Sequence, residues 1–145
     1  MTDKQSKDKV AIREIFTRWS TAARNKDLDG IMALYSDDIC SYDAVGPLQF
    51  KGRDDYRAHW ERCMAFDDEF IMEPQEPLIR ISGHLSVARF LIRCGMRKED
   101  GTEQASWMRS SYHLEKHDGQ WRIMHEHFSV PFDFENGSAQ FGLQP

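Results

Sequence analysis

Residues 85–130 read LSVARFLIRCGMRKEDGTEQASWMRSSYHLEKHDGQWRIMHEHFSV, and this run decides the fold. Its long segments Leu85–Met96, Thr102–Lys116 and Gln120–Val130 are separated by Asp100-Gly101 and Asp118-Gly119. Such dipeptides tolerate positive φ and close tight antiparallel hairpins, so three long strands in a meander are expected. Just upstream, Phe70–Glu73 and Leu78–Ile81 read as one more strand, interrupted near Pro74 and Pro77 and turned by Ser82-Gly83-His84.

Before Asp67-Asp68 the period is helical. Ile12, Ile15, Phe16, Trp19, Ala22 and Ala23 form one stripe and predict a long first helix over Val10–Ala23. Asn25-Lys26 breaks it, Asp27 can cap a second helix, and Leu28, Ile31, Met32 and Tyr35 keep helical spacing. Asp37-Asp38 then punctuates, and Ile39–Val45 reads as a strand closed by Gly46-Pro47. Gly52 with Asp54 and Asp55 opens a third helix whose inner face carries Tyr56, Trp60, Cys63 and Met64. Helices followed by an antiparallel meander make an α+β domain. The expected organisation is a flexible N-terminus over residues 1–9, one domain over 10–130 and an aromatic tail over 131–145. That tail, with Phe132, Phe134 and Phe141 among Gly, Asn and Ser, is either frayed or a flap over something apolar.

With 145 residues the chain supports one core, and 40% hydrophobic with 12% aromatic content excludes disorder. No apolar run approaches the ~20 residues of a membrane span. The net charge is −5 and no Lys/Arg block exceeds two residues, so neither nucleic acid nor a membrane is an expected partner. Residues 1–9 hold no apolar signal core, and Cys40, Cys63 and Cys94 cannot all pair with one another, which fits a cytoplasmic protein. On the last strand Trp121, Ile123, His125 and His127 lie on one side, and Met124, Glu126, Phe128 and Val130 on the other. Neither set suits water, and three helices cover one side only, so a homodimer through the sheet is expected.

The chemistry-bearing candidates are few. His125-Glu126-His127 puts two imidazoles on one side of a strand, yet no third ligand follows, so no metal is assigned; the pair serves a pocket or bonds across the sheet or a dimer interface. Asp43 shares the parity of Ile39 and Val45, where an apolar setting would raise its pKa and suit a general base; otherwise it caps the Gly46-Pro47 turn. Arg93 and Arg109 interrupt apolar strands, and Asp43 and Glu126 are natural partners for them unless an anionic ligand takes that role. Trp19 and Trp60 read as core or as the floor of a pocket for a flat ligand. No Gly-x-Ser-x-Gly, Cys-x-x-Cys or phosphate loop occurs, and no cofactor is expected.

Several phrases together resemble the nuclear-transport-factor-2-like (NTF2-like) superfamily over roughly residues 8–130. They are Lys26-Asp27-Leu28-Asp29-Gly30-Ile31 through Leu34-Tyr35-Ser36-Asp37-Asp38, Phe50-Lys51-Gly52-Arg53, and Asp118-Gly119-Gln120-Trp121-Arg122-Ile123 before His125-Glu126-His127. The HEHFSVPFD ending is most similar to the uncharacterised SnoaL-like ketosteroid-isomerase homologues. The resemblance implies a cone-shaped half-barrel, three N-terminal helices on a curved, mostly antiparallel sheet around an apolar pocket, and a dimer packed through the sheets. It places Tyr42-Asp43-Ala44-Val45-Gly46 where ketosteroid isomerases keep their proton-shuttling carboxylate.

The isomerase oxyanion hole uses a tyrosine and a protonated aspartate. Trp19 and Ser110 stand at those places here, removing donors worth about 3–4 kcal/mol each in comparable sites, so authentic steroid isomerisation is not expected. The same alignment points Met108, Ser110 and Tyr112, with Met124, Glu126 and Phe128, into the pocket and turns His125 and His127 outward. A single bulge reverses that assignment. The resulting expectation is a small-molecule pocket with Asp43 and Glu126 dividing base and acid roles in a cofactor-free isomerase, cyclase or dehydratase reaction, with Tyr42, Tyr112 and Ser110 as donors. The alternative is a non-enzymatic ligand-binding or dimerisation module.

Overall fold

A computed structural model describes residues 2–145. Its elements in chain order are α1 (Asp3–Arg24), α2 (Leu28–Met32), β1 (Tyr35–Tyr42), β2 (Phe50–Lys51), α3 (Arg53–Met64), β3 (Glu69–Pro74), β4 (Leu78–Ser82), β5 (Leu85–Arg97), β6 (Glu103–His117) and β7 (Gln120–Ser129). The seven strands form one sheet in the order β2-β1-β7-β6-β5-β3, with β4 also on β5. Every pairing is antiparallel except β1 with β7. Three helices on an open, mostly antiparallel sheet are the arrangement that the resemblance implies.

The meander follows the sequence closely. Asp118 and Gly119 both take positive φ, 50° and 78°, as the tight β6–β7 turn requires. Pro74 pairs with Ile92 and Leu78 with Arg89, so β3 and β4 are successive pieces of one edge along β5, parted at the prolines.

Three boundaries differ from the expectation. The first helix reaches back to Asp3, and residues 3–9 belong to it rather than to a flexible N-terminus; Met1 lies outside the described residues. Thr2 and Gln5 form a reciprocal capping box, and the Asp8 carboxylate is buried, accepting from Lys116 Nζ at 2.7 Å and Trp121 Nε1 at 2.9 Å. Tyr35 starts β1 rather than ending α2, and β1 runs through Asp37-Asp38. Both aspartates face solvent because the β1–β7 register shifts between Tyr35 and Cys40. Finally, the strand stops at Tyr42, leaving Asp43 just beyond its end.

The concave face of the sheet holds the core. Phe16 from α1 meets Phe90 and Tyr112 with ring centroids 5.1 and 4.7 Å apart, and Trp19 stacks on Phe128 at 6.0 Å. On β7 the faces do not alternate simply, because Ile123 pairs with Leu114 and His125 with His113, leaving Met124 as an extra residue. The bulge puts Trp121 and Ile123 on the same buried side as Glu126 and Phe128, and turns Met124, His125 and His127 away. Two sequence expectations are thereby corrected. Trp121 and Ile123 do not share a face with the histidines, and Met124 does not point toward the concave side.

Candidate active site

A cavity of about 480 Å³ opens at the end of the cone between α3, β3, the outer halves of β5 and β6, the end of β7 and the C-terminal tail. Trp60, Phe70, Met72, Met96, Met108, Phe128 and Val130 give it an apolar wall. Asp43 and His59 stand on one side, with Cys63 beside His59 and Cys94 and Ser106 across the sheet wall. The tail contributes Ala139 and Phe141. It is folded rather than frayed: Phe132 bridges Ala139, and Asp133 exchanges backbone bonds with Ser138 and Gly137.

Asp43 reaches the cavity by parity. Ile39 and Ser41 on β1 face inward, and the next inward position is Asp43, which lies past the strand end where the chain turns along the cavity rim. Its side chain does also brace the turn, since Oδ1 accepts from the Val45 N–H at 3.2 Å. Oδ2 accepts from the Tyr56 hydroxyl at 2.9 Å and lies 3.3 Å from His59 Nε2. Bonding to Asp43 holds the His59 imidazolium, with help from Cys63 and against the effect of burial, so its pKa is raised to about 9. Asp43 and protonated His59 therefore form an ion pair on the cavity wall at neutral pH.

Glu126 stands behind this wall, fully buried and apart from the cavity lining. It accepts from the Tyr35 hydroxyl at 3.0 Å and lies 2.5 Å from the Tyr56 hydroxyl, with Ser41 Oγ at 3.4 Å. Trp19 Nε1 donates to Tyr35 at 2.8 Å, locking that phenol in place. Burial is the main reason that the Glu126 pKa rises to about 8; the nearby Asp43 charge adds to it, while the hydroxyls of Tyr56, Tyr35 and Ser41 oppose it. Near neutral pH Glu126 is protonated. Burial likewise keeps Tyr35, Tyr56 and Tyr112 well above the ordinary phenol range.

Of the site residues expected from sequence, Asp43, Trp60, Met108 and Phe128 line the cavity. Trp19 and Glu126 back it, one behind Phe128 and the other behind Asp43. Ser110 and Tyr112 are core instead: Ser110 Oγ donates to the Phe90 carbonyl at 2.8 Å, and the Tyr112 ring packs on Phe90. Neither arginine meets Asp43 or Glu126. Arg93 pairs with Glu73 and Glu103, while Arg109 donates to Ser129 Oγ at 3.1 Å on an exposed surface. Tyr42, His125 and His127 cluster on the convex face, with the tyrosine ring 4.7 and 5.7 Å from the two imidazoles. His125 Nδ1 donates to the Cys40 carbonyl at 2.7 Å, which is the cross-sheet alternative.

His59 is not among the site residues expected from the sequence, and Tyr56 and Tyr35 carry no chemical role there. A signal existed for two of them, since Tyr56, His59 and Trp60 share the 3-and-4 spacing of one helix face. Among the described residues, no group of three or more His, Cys, Asp or Glu side chains is placed to hold a metal ion, and no helix is long and apolar enough to cross a membrane.

The SnoaL-like domain family matches residues 12–133. No curated protein matches the chain. Among solved structures, an NTF2-like protein of unknown function from Pseudomonas putida KT2440 is 39% identical, with 97% of this chain and 98% of that chain covered and a TM-score of 0.89. Two more distant structures share the fold. A proposed dehydratase of the NTF2-like family from Streptomyces avermitilis has 10% identity, coverage of 88% and 99%, and a TM-score of 0.78. A proposed aromatic ring hydroxylase from Novosphingobium aromaticivorans has 14% identity, coverage of 85% and 88%, and a TM-score of 0.75.

Proposed function

We propose that this chain, which belongs to the SnoaL-like family of NTF2-like proteins, binds a small and largely apolar molecule in its cavity and moves a proton on it with Asp43 as the base. The observation that carries this reading is one carboxylate, paired with His59 and bonded by Tyr56, on the wall of an otherwise apolar space of about 480 Å³. A volume of that order accommodates one or two fused rings. Since Asp43 and His59 cancel each other's charge, the ligand is neutral, with an acidified C–H beside a carbonyl or a comparable acceptor. Asp43 removes that proton, and return of a proton to a neighbouring carbon, or loss of a leaving group, completes an isomerisation, cyclisation or dehydration. His59 holds the carboxylate in place for the transfer.

The reading extends to a homodimer through the convex face of the sheet, in a cytoplasmic setting. Exposed Tyr42 and partly buried Trp107 and Leu91 lie on that face, a poor surface to leave against water. Sedimentation at micromolar concentration is expected to give a dimer, and a monomer contradicts it.

Proton transfer is tested in D₂O with a panel of neutral cyclic and unsaturated ketones, following deuterium incorporation by NMR. Wild type is expected to accelerate exchange next to the carbonyl for at least one member, and Asp43→Asn to lose about 10²–10⁴-fold of that acceleration. Equal rates with both proteins for every member overturn the catalytic reading and leave a binding module.

A further inference from the structure

The oxygen of Tyr56 lies 2.9 Å from Asp43 Oδ2 and 2.5 Å from Glu126 Oε1. A phenol has one hydrogen and can donate to only one of these carboxyls. The other short contact therefore needs its own proton, since two lone-pair-bearing oxygens at that separation repel. Tyr35 cannot supply it. Its oxygen already accepts from Trp19, and its one hydrogen is taken up by Glu126, whose Oε1 and Oε2 lie 3.1 and 3.0 Å away. Two arrangements satisfy every contact: either Glu126 carries the proton and donates it to Tyr56, which donates to ionised Asp43, or Asp43 carries it and donates to Tyr56, which donates to ionised Glu126.

We infer that Tyr56 joins Asp43 and Glu126 into a unit holding one proton, resident on Glu126 and transferable through the Tyr56 hydroxyl to Asp43. This rests on the reading of Asp43 as the acid–base group. The transfer balances without solvent. The Glu126 O–H bond breaks as that proton forms a new O–H on Tyr56, while the old Tyr56 O–H breaks and its proton goes to Asp43 Oδ2. Negative charge moves from Asp43 to Glu126, where the hydroxyls of Tyr35, Tyr56 and Ser41 are in place to receive it. Asp43 can thus meet a ligand as a base in one state and as an acid in the other. Tyr56 and Glu126 border no cavity space and act as positioning residues.

The surroundings set which state is favoured. Glu126 is faced by Tyr35 and Ser41 from β1, Tyr56 from α3 and the Tyr112 hydroxyl region from β6. Asp43 is faced by Tyr56 and His59 from α3, with the Cys94 thiol of β5 near enough that burial and the Asp43 charge push it up to about 12. Cationic His59 beside Asp43 holds the negative charge there. Complete burial keeps the proton on Glu126.

The test reads carboxyl carbon shifts of Asp43 and Glu126 by NMR against pH in ligand-free wild type, Asp43→Ala, Tyr56→Phe and the double variant. In wild type near neutral pH, Glu126 is expected to be protonated and Asp43 ionised. Asp43→Ala frees the Tyr56 hydrogen for Glu126 and lowers its midpoint by about one pH unit or more, a tenfold change in proton affinity. In the Tyr56→Phe background only the loss of the Asp43 charge acts, and the same substitution is expected to change that affinity less than about threefold. Ionised Glu126 in neutral wild type, or an equal effect of Asp43→Ala with and without the hydroxyl, overturns the inference. If Asp43→Ala does not fold, Asp43→Asn takes its place in the same comparison, and an equal effect on Glu126 with and without the Tyr56 hydroxyl refutes the link. No ligand is involved, so failure here leaves the deuterium-exchange result to stand or fall separately.

Discussion

Replacing Glu126 with Gln exposes the energetic cost of a buried carboxyl as a dependence of stability on pH. In the folded protein this group titrates at about 8 against an ordinary 4.5, because burial disfavours its charged form. Between those values the native state keeps a proton that the unfolded chain releases. A raised folded value means the contribution is whole below the unfolded pKa and gone once pH has risen through the folded one. Stability is lost at about 1.4 kcal/mol per pH unit, or about 4–5 kcal/mol across the window.

Other perturbed groups do not confuse the comparison. His59, raised from 6.5 to about 9, also loses stability as pH rises, but it does so in both proteins. Asp8 is lowered by its bond to Lys116, so its contribution disappears as pH falls, below the window. Urea unfolding followed by tryptophan fluorescence, from about pH 5 to about pH 9, measures the difference between wild type and Glu126→Gln. Wild type should lose several kcal/mol relative to the variant as pH rises. A difference that stays flat over this range refutes the argument.

Asp8→Asn should cost about 1–3 kcal/mol in thermal or urea unfolding, because it weakens the buried carboxylate's bonds to Lys116 and Trp121 that tie α1 to the sheet. Gly95→Ala should destabilise by ~3 kcal/mol or fail to fold, as read by circular dichroism. A Cβ there would sit 1.9 Å from the Gln104 carbonyl oxygen and 2.5 Å from the Ala105 Cα, both backbone atoms of β6. Phe141→Ala removes a ring that edges the cavity yet is 62% exposed. It should leave stability within about 0.5 kcal/mol while weakening binding of an apolar fluorescent probe such as Nile red about threefold to tenfold.

Where local rules operate, the fold is legible in the chain. The period change at Asp67-Asp68, the Asp118-Gly119 turn and the proline break between β3 and β4 each express a backbone constraint that acts within a few residues. Asp43 was within reach for the same reason, since its parity with Ile39 holds to the end of β1. Residues governed by the bulge were not. One unpaired position, Met124, moves Trp121 and Ile123 onto the face of Glu126, and nothing in the local alternation announces it. Arg93 shows a second limit, because its partners Glu73 and Glu103 come from the flanking strands β3 and β6 and only the sheet register brings them together. The N-terminal turn is a third. Residues 3–9 look like a charged leader until Asp8 meets Lys116 and Trp121 from the far end of the sheet.

The cavity is the proposed ligand site, and methionine methyl groups report on it most directly. Met72, Met96 and Met108 line the cavity, whereas Met124 lies in the convex-side bulge. Adding a neutral cyclic ketone to methyl-labelled protein should shift the first three resonances in a saturable way and leave Met124 unmoved. Saturable shifts at Met124 with the cavity methyls unchanged would place binding on the outer face and contradict the account.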